Sequence, residues 1–178
     1  METYFIGFVL PEEVREALAK ATSKLPAPWV GTAADDMHLT VHYLGRVPEE
    51  LLAQLEAITG CIVDDTAPMR LEHGRTIVMR PAKPYMLWAK YVQSPWFDTL
   101  VGDCARRLAK LTEHKDGHHA SRAAIPHLTL ARLPHGTYAE SLVPPLDLPQ
   151  ELTSIRLDTL ALWRAEAGKY TVVRSWNL

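Results

Sequence analysis

The chain has 178 residues, 47% of them apolar and 22% charged, and a formal net charge of −2. That is enough apolar material for one self-sufficient core, and the charge balance excludes a strongly basic nucleic-acid binder, so any nucleic-acid ligand would have to meet a local basic patch. Two cysteines, Cys61 and Cys104, are too few for a disulfide framework, and with no C-x-x-C little supports a thiol redox role; both lie in apolar stretches and read as reduced, core or near-core thiols.

Tyr4 to Leu10 is rich in β-branched and aromatic residues and reads as a buried strand. It is too short and too poor in flanking basic residues for a signal peptide. No later segment approaches membrane-spanning length, so the expected location is the cytoplasm. Pro11 opens a helix with Glu12 and Glu13 in its first turn, where the dipole favours carboxylates. Val14, Ala17, Leu18 and Ala21 give that helix an apolar stripe, and it ends before Pro26-Ala27-Pro28. Met37 to Leu44 reads as a second strand, stopped by Gly45. A second helix starts at Pro48-Glu49-Glu50, turns Leu51, Leu52, Leu55 and Ile58 inward, and stops at Gly60.

Strands are expected next over 69–79 and 86–92, then a helix from Pro95 to Leu111. His114 to Ser121 is polar and reads as a loop. Pro126 precedes a strand from His127 to Arg132, and a proline-rich loop runs from Pro134 to Pro149. The chain closes with two strands, Ile155 to Arg164 and Tyr170 to Trp176, joined as a hairpin at Ala167-Gly168. This order predicts a mixed α/β (α+β) protein with antiparallel sheets covered by helices, without linkers or low-complexity tracts.

One repeat stands out. His38-Leu39-Thr40-Val41 recurs as His127-Leu128-Thr129-Leu130, half a chain later. Side chains alternate faces along a strand, so each His shares a face with its Thr while the apolar residues anchor the other face. Two related lobes, each giving one such strand, would bring two imidazoles and two hydroxyls to one cavity. A phosphodiester calls for that set. An attacking water must lose a proton and a leaving alkoxide must gain one, and imidazole can serve in either role near neutral pH. Thr hydroxyls can donate to the non-bridging oxygens as charge shifts. Arg132 is the nearest candidate cation, although strict alternation puts it on the face opposite His127, so it reaches the cavity only at a strand end or a bulge. Alternation carries His42 onto the face of His38 and Thr40, where it either lines the same cleft or stands as a supporting or sheet-surface histidine.

The segments His38-Leu39-Thr40-Val41-His42-Tyr43-Leu44-Gly45 and Pro126-His127-Leu128-Thr129-Leu130-Ala131-Arg132 resemble the paired signatures of the 2H phosphoesterase superfamily. Within it the chain resembles the RNA 2′,3′-cyclic phosphodiesterases, also called 2′–5′ RNA ligases (ThpR or LigT-like). Phe5-Ile6-Gly7-Phe8-Val9-Leu10-Pro11-Glu12 is similar to that family's first strand and turn. Leu160-Ala161-Leu162-Trp163-Arg164, with Tyr170 and Trp176, is similar to its closing hairpin. Many relatives carry an Arg just before the first strand's aromatic residue; here Thr3-Tyr4-Phe5 stands there.

The resemblance implies a single bilobal domain over 1–178, with two antiparallel sheets lining a central cleft and helices outside. It implies hydrolysis of an RNA 2′,3′-cyclic phosphate to a 2′-phosphate without metal or cofactor, together with reversible 2′–5′ joining in some members. Carried over, His38 is the general acid and His127 the general base. Thr40, Thr129 and Arg132 hold the phosphate. The implied partner is an RNA end bearing the cyclic phosphate, or a cyclic nucleotide, met by a monomer. The competing reading is a non-catalytic protein that holds an RNA end or nucleotide in the same cleft.

Other candidates have plainer explanations. His114, His118 and His119, with Lys115 and Asp116, lack ordered ligand spacing and read as a solvated loop. Trp29, Tyr85, Trp88 and Trp96 could stack on a base but fit ordinary packing as well. Arg75, Arg80 and Lys83 are candidates for a basic rim, or ordinary surface charge.

Overall fold

The sheets follow from where the apolar residues fall. In the computed structural model, which describes residues 2–79, 85–111, 124–134, 137, 146, 148–166 and 168–178, nine strands form two antiparallel sheets. They are β1 (Glu2–Val9), β2 (Val30–Gly31), β3 (His38–Val47), β4 (Met69–Met79), β5 (Met86–Tyr91), β6 (His127–Arg132), β7 (Ser154–Leu157), β8 (Thr159–Glu166) and β9 (Lys169–Asn177). One sheet has the order β3-β1-β8-β9, the other β2-β6-β5-β4-β7. Each therefore carries one His-x-Thr strand, β3 in the first and β6 in the second. The segment 112–123 with its three histidines, most of the loop between Pro134 and Pro149, and Arg80 and Lys83 lie outside the described residues.

Among the described residues three α-helices cover the sheets: α1 (Glu12–Thr22), α2 (Leu52–Asp64) and α3 (Pro95–Leu108). Pro11 stands at the N-cap of α1, Glu12 and Glu13 sit in its first turn, and Val14, Leu18 and Thr22 are buried at helical spacing. In α3, Phe97, Leu100, Cys104 and Leu108 form the buried stripe. These stripes meet Ile6, Phe8, Leu39, Leu128, Leu130, Leu160 and Leu162 from the sheets in one core. Each such fully buried side chain contributes roughly 1.5–3 kcal/mol relative to exposure. Among the described residues no helix is long and apolar enough to cross a membrane.

The structure departs from the sequence expectations at several boundaries. Gly60 does not stop the second helix, which starts with a 3-10 turn at Glu49–Leu51 and continues to Asp64. Ile62 and Val63 beyond the glycine are buried and hold the last turn down. Gly45 does not stop β3 either. Its φ of +74° absorbs an extra residue, so that Phe5 pairs with Tyr43 and Tyr4 with Gly45, and the strand runs on to buried Val47. The expected strand over 155–164 is two. β7 pairs with β4 in one sheet, and β8 pairs with β1 in the other. The apolar residues on either side of Asp158 serve different sheets, which alternation alone does not reveal. α3 ends at Leu108, and the short β2 has no visible signature in the sequence. The closing hairpin forms, with Glu166 opposite Lys169 and Gly168 at φ +86°. Both cysteines are free. Cys104 is buried in the core, which pushes its thiol up to about 12, whereas Cys61 is exposed.

Candidate active site

The two sheets turn different faces to different neighbours. On β1, Tyr4, Ile6 and Phe8 point into the main core. Phe5 points the other way and packs with Ala161, Trp163, Val9 and Tyr170 in a separate cluster. Partners opposite one another in an antiparallel pair share a face. His38 pairs with Val9 and Thr40 with Gly7, so both lie on the Phe5 face of the first sheet. The His38 ring sits 4.6 Å from Phe5, 5.3 Å from Trp163 and 4.6 Å from Tyr170, centroid to centroid. Gly7 is needed at this point: a Cβ there would stand 2.8 Å from the Leu39 carbonyl oxygen, between His38 and Thr40. The Gly7 carbonyl in turn accepts the Trp163 indole N–H at 3.1 Å, which fixes the wall behind His38.

The second histidine is held in the same manner. His127 Nδ1 lies 2.7 Å from the Ile125 carbonyl oxygen, and His38 Nδ1 lies 2.8 Å from the Asp36 carbonyl oxygen. A carbonyl oxygen only accepts, so in each ring Nδ1 carries the hydrogen and donates. Each neutral ring then presents Nε2 with a free lone pair. Trp88 covers one face of His127, stacked at 3.6 Å and 23°. Thr129 pairs with Trp88 and shares that face.

Arg132 reaches this face through a bulge. Leu87 pairs with Ala131 and Trp88 with Thr129, so Leu130 is the extra residue, and Leu130 and Ala131 are both buried. The shift returns Arg132, opposite Met86, to the side of His127. Its guanidinium bridges the two sheets, donating to Met86 Sδ at 3.0 Å and to the Tyr170 hydroxyl at 3.4 Å. A second bulge acts in the opposite sense on His42. Gly7 pairs with Thr40 but Ile6 pairs with His42, so Val41 is extra. His42 therefore lies opposite a core residue and not on the face of His38, where simple alternation puts it.

Electrostatics follow from this enclosure. Burial pushes His38 down to about 4; its bond to the Asp36 carbonyl opposes that, and the nearby charges of His127 and Arg132 reinforce it. Burial also lowers His127, against the Ile125 bond and together with Lys90 and Arg132. Near neutral pH both rings are neutral, and a proton on one disfavours a proton on the other. Among the described residues no group of three or more His, Cys, Asp or Glu is arranged to hold a metal ion.

Three supporting residues belong to the site as well. The Asp36 carboxylate accepts the Tyr170 backbone N–H at 3.0 Å while its carbonyl holds His38. Tyr170 links His38 to Arg132 across the cleft. Trp88, a base-stacking candidate in the sequence, backs a histidine here. Neither Asp36 nor Tyr170 is singled out by the sequence as a site residue. The Asp36 and Ile125 carbonyls each stand two residues before their histidine, but backbone acceptors leave no side-chain signature. Of the other aromatic candidates, Trp29 is buried and Trp96 is exposed at the start of α3.

Comparison with known proteins agrees with this architecture. The profile of the 2′–5′ RNA ligase superfamily matches residues 10–169. TT0787 of Thermus thermophilus is 27% identical with a TM-score of 0.79, over 99% of this chain and 97% of that one. E. coli LigT in apo form is 23% identical with a TM-score of 0.74, over 99% and 97%. E. coli LigT complexed with 3′-AMP is 21% identical with a TM-score of 0.69, over 99% and 98%. The comparison with curated protein sequences gives no match.

Proposed function

The chain belongs to the 2′–5′ RNA ligase superfamily of 2H phosphoesterases, and from that premise we propose that it opens a terminal RNA 2′,3′-cyclic phosphate to a 2′-phosphate by acid–base catalysis between His38 and His127. The observation that carries this reading is the matched tethering of the two rings: each Nδ1–H is tied to a backbone carbonyl two residues upstream, which leaves both Nε2 atoms free to move protons.

In this mechanism His127 Nε2 takes a proton from the attacking water as its oxygen bonds to phosphorus. The P–O3′ bond breaks, its electron pair stays on O3′, and His38 Nε2–H protonates that oxygen. The product is a 2′-phosphomonoester with a free 3′-hydroxyl. Thr40 and Thr129 hydroxyls donate to non-bridging oxygens, and Arg132 offsets their charge. A 5′-hydroxyl in place of water would give a 2′–5′ linkage by the same step, and the reverse step reopens it. LigT, a neighbour of the same fold, has been crystallised with 3′-AMP, which is in keeping with a nucleotide in such a cleft.

The acid must start protonated, and His38 rests near 4. An anionic phosphate within hydrogen-bonding distance favours imidazolium and opposes the effect of burial, so loading of the proton accompanies loading of the substrate. The mutual repulsion of the two rings then keeps the second one neutral, as a base must be. The test is turnover of a 2′,3′-cyclic oligonucleotide. His38→Ala or His127→Ala should reduce it by about 10²-fold or more, and phosphorus NMR should place the product phosphate on the 2′-oxygen. Full activity in either variant would refute the proposal, and a 3′-phosphate product would reverse the bond that breaks.

A further inference from the structure

The face of the second sheet that carries His127 does not end at the catalytic residues. Across the strands Arg75 of β4 pairs with Lys90 of β5, and Lys90 pairs with His127 of β6, so the three side chains form one row on one face. Strand spacing of about 4.8 Å sets Lys90 one step and Arg75 two steps from His127. The row exists because of a further bulge, in β4. His73 pairs with Tyr91 and Arg75 with Lys90, leaving Gly74 as the extra residue; a Cβ at Gly74 would stand 3.4 Å from the Lys90 carbonyl oxygen. Were the ladder regular there, with Gly74 paired, Gly74 would face Lys90 and Arg75 would point with buried Ala89 into the core.

The strands that form this row carry more positive than negative charge, in a chain that is slightly acidic as a whole. β4, β5 and β6 together contain Arg70, Arg75, Lys90 and Arg132 against a single carboxylate, Glu72. Glu72 accepts from the Ser154 hydroxyl at 2.7 Å. Among the described residues neither Arg75 nor Lys90 takes part in an ion pair. Lys90 is close enough to His127 to lower its proton affinity. Two uncompensated cations leading away from a phosphate-handling histidine match the next link of a nucleic-acid backbone.

We propose that Lys90 and Arg75 form a second phosphate subsite, which takes the phosphate on the 5′ side of the terminal nucleotide and makes the protein selective for oligonucleotide ends over mononucleotides. The proposal rests on the cyclic-phosphodiesterase reading for the position of the first phosphate. The terminal sugar then spans from the reacting phosphorus at His127 to Lys90, and Arg75 meets the far side of the same phosphate or the one after it. The chemistry recognised is a phosphodiester anion, without base identity, because both partners are flexible cations with no base-edge acceptor in the row.

The test compares a dinucleotide ending in a 2′,3′-cyclic phosphate with the matching mononucleotide. Wild type should prefer the dinucleotide in kcat/KM. Arg75→Ala and Lys90→Ala should each reduce the dinucleotide-to-mononucleotide ratio by about fivefold, the scale of one exposed ion pair, and should make binding of the dinucleotide less salt-dependent, by a slope of about 0.7 for each contact removed. A ratio that is unaltered in both variants, or an equal loss on both substrates, overturns the subsite. Binding keeps the two ideas separable. Affinities for the dinucleotide and mononucleotide 2′-phosphates are measured by tryptophan fluorescence in the same variants. Absent turnover with a preserved, Arg75-dependent preference in binding would sink the catalytic reading and leave the subsite standing; turnover with no preference in either measurement would do the reverse.

Discussion

The low proton affinity of His38 makes a prediction about stability that is independent of substrate. The folded ring is held near 4 mainly by burial, against about 6.5 in an unfolded chain. As pH falls, the unfolded chain therefore takes up the proton first. The stability tied to the neutral ring is fully present above 6.5 and is lost as pH falls toward 4. At about 1.36 kcal/mol per pH unit, the gap corresponds to about 3 kcal/mol, of which about 2 kcal/mol is gone by about pH 5. The perturbation is His38→Gln, which keeps a polar side chain of similar reach without the titration. Urea unfolding of wild type and variant is followed by tryptophan fluorescence between about pH 7.5 and about pH 5, the window that brackets the unfolded value. The wild type should lose about 2 kcal/mol more than the variant over that range, a relative shift of the midpoint of about 1–2 M urea. Parallel stability curves would refute the claim that the tethered His38 is buried neutral, and with it the account of how the acid is loaded.

Both histidines sit below their ordinary value in the free protein, so the bell-shaped profile of kcat/KM should peak on the acid side of 6.5 and fall about tenfold per pH unit beyond its upper limb. A profile centred above about 7.5 would contradict this; the basic limb of kcat should lie higher than that of kcat/KM, because bound phosphate favours the imidazolium. Arg132→Lys keeps the charge but loses the planar fork that spans Met86 and Tyr170, and should cost about tenfold or more in kcat/KM on the cyclic substrate; equal activity would remove Arg132 from the site. Gly7→Ala should destabilise the fold by about 1–3 kcal/mol in thermal or urea unfolding, because its methyl group meets the Leu39 carbonyl, with turnover falling alongside as His38 and Thr40 are displaced. EDTA should leave turnover unchanged; a loss that an added divalent metal restores would replace the two-histidine mechanism.

The features legible in the sequence are those that depend on local periodicity. Apolar residues at three- and four-residue spacing mark α1 and α3, and the alternation in His38-Leu39-Thr40-Val41 and its copy at His127 marks two half-buried strands with a polar pair on one face. The duplicated pattern points to a shared site because two strands with the same polar face can only be satisfied opposite a common cavity or in solvent. Boundaries set by partners elsewhere are not legible. Nothing near Asp158 says that β7 leaves for one sheet and β8 for the other, and nothing near Gly60 says that Ile62 and Val63 will find a core to bury in.

Face assignments expose the same limit more sharply, because one inserted residue reverses them. Period-two reasoning sets Arg132 away from His127 and His42 beside His38; the structure reverses both, and in each case the cause is a single extra residue in the strand, Leu130 in β6 and Val41 in β3. A bulge is a property of a pair of strands: it appears where two chains must twist past each other while keeping their apolar residues on the core side, so it cannot be read from one strand alone. The consequence falls on the candidate site. Consecutive buried residues, Leu130-Ala131, keep β6 anchored while the next side chain is turned back into the cleft, and Gly74 does the equivalent for Arg75 on β4. The cations thus reach the face that carries His127 because the alternation is broken just before each of them. An insertion that supplies a charge at the face costs only a local irregularity in the ladder, whereas a strictly regular strand would have to bury the same guanidinium in the core, at a cost of several kcal/mol. Deleting Leu130 should therefore leave Arg132 on the cleft face, since Thr129, Ala131 and Arg132 would then pair in unbroken register with Trp88, Leu87 and Met86; its cost in urea unfolding should be that of one buried leucine, about 2–5 kcal/mol.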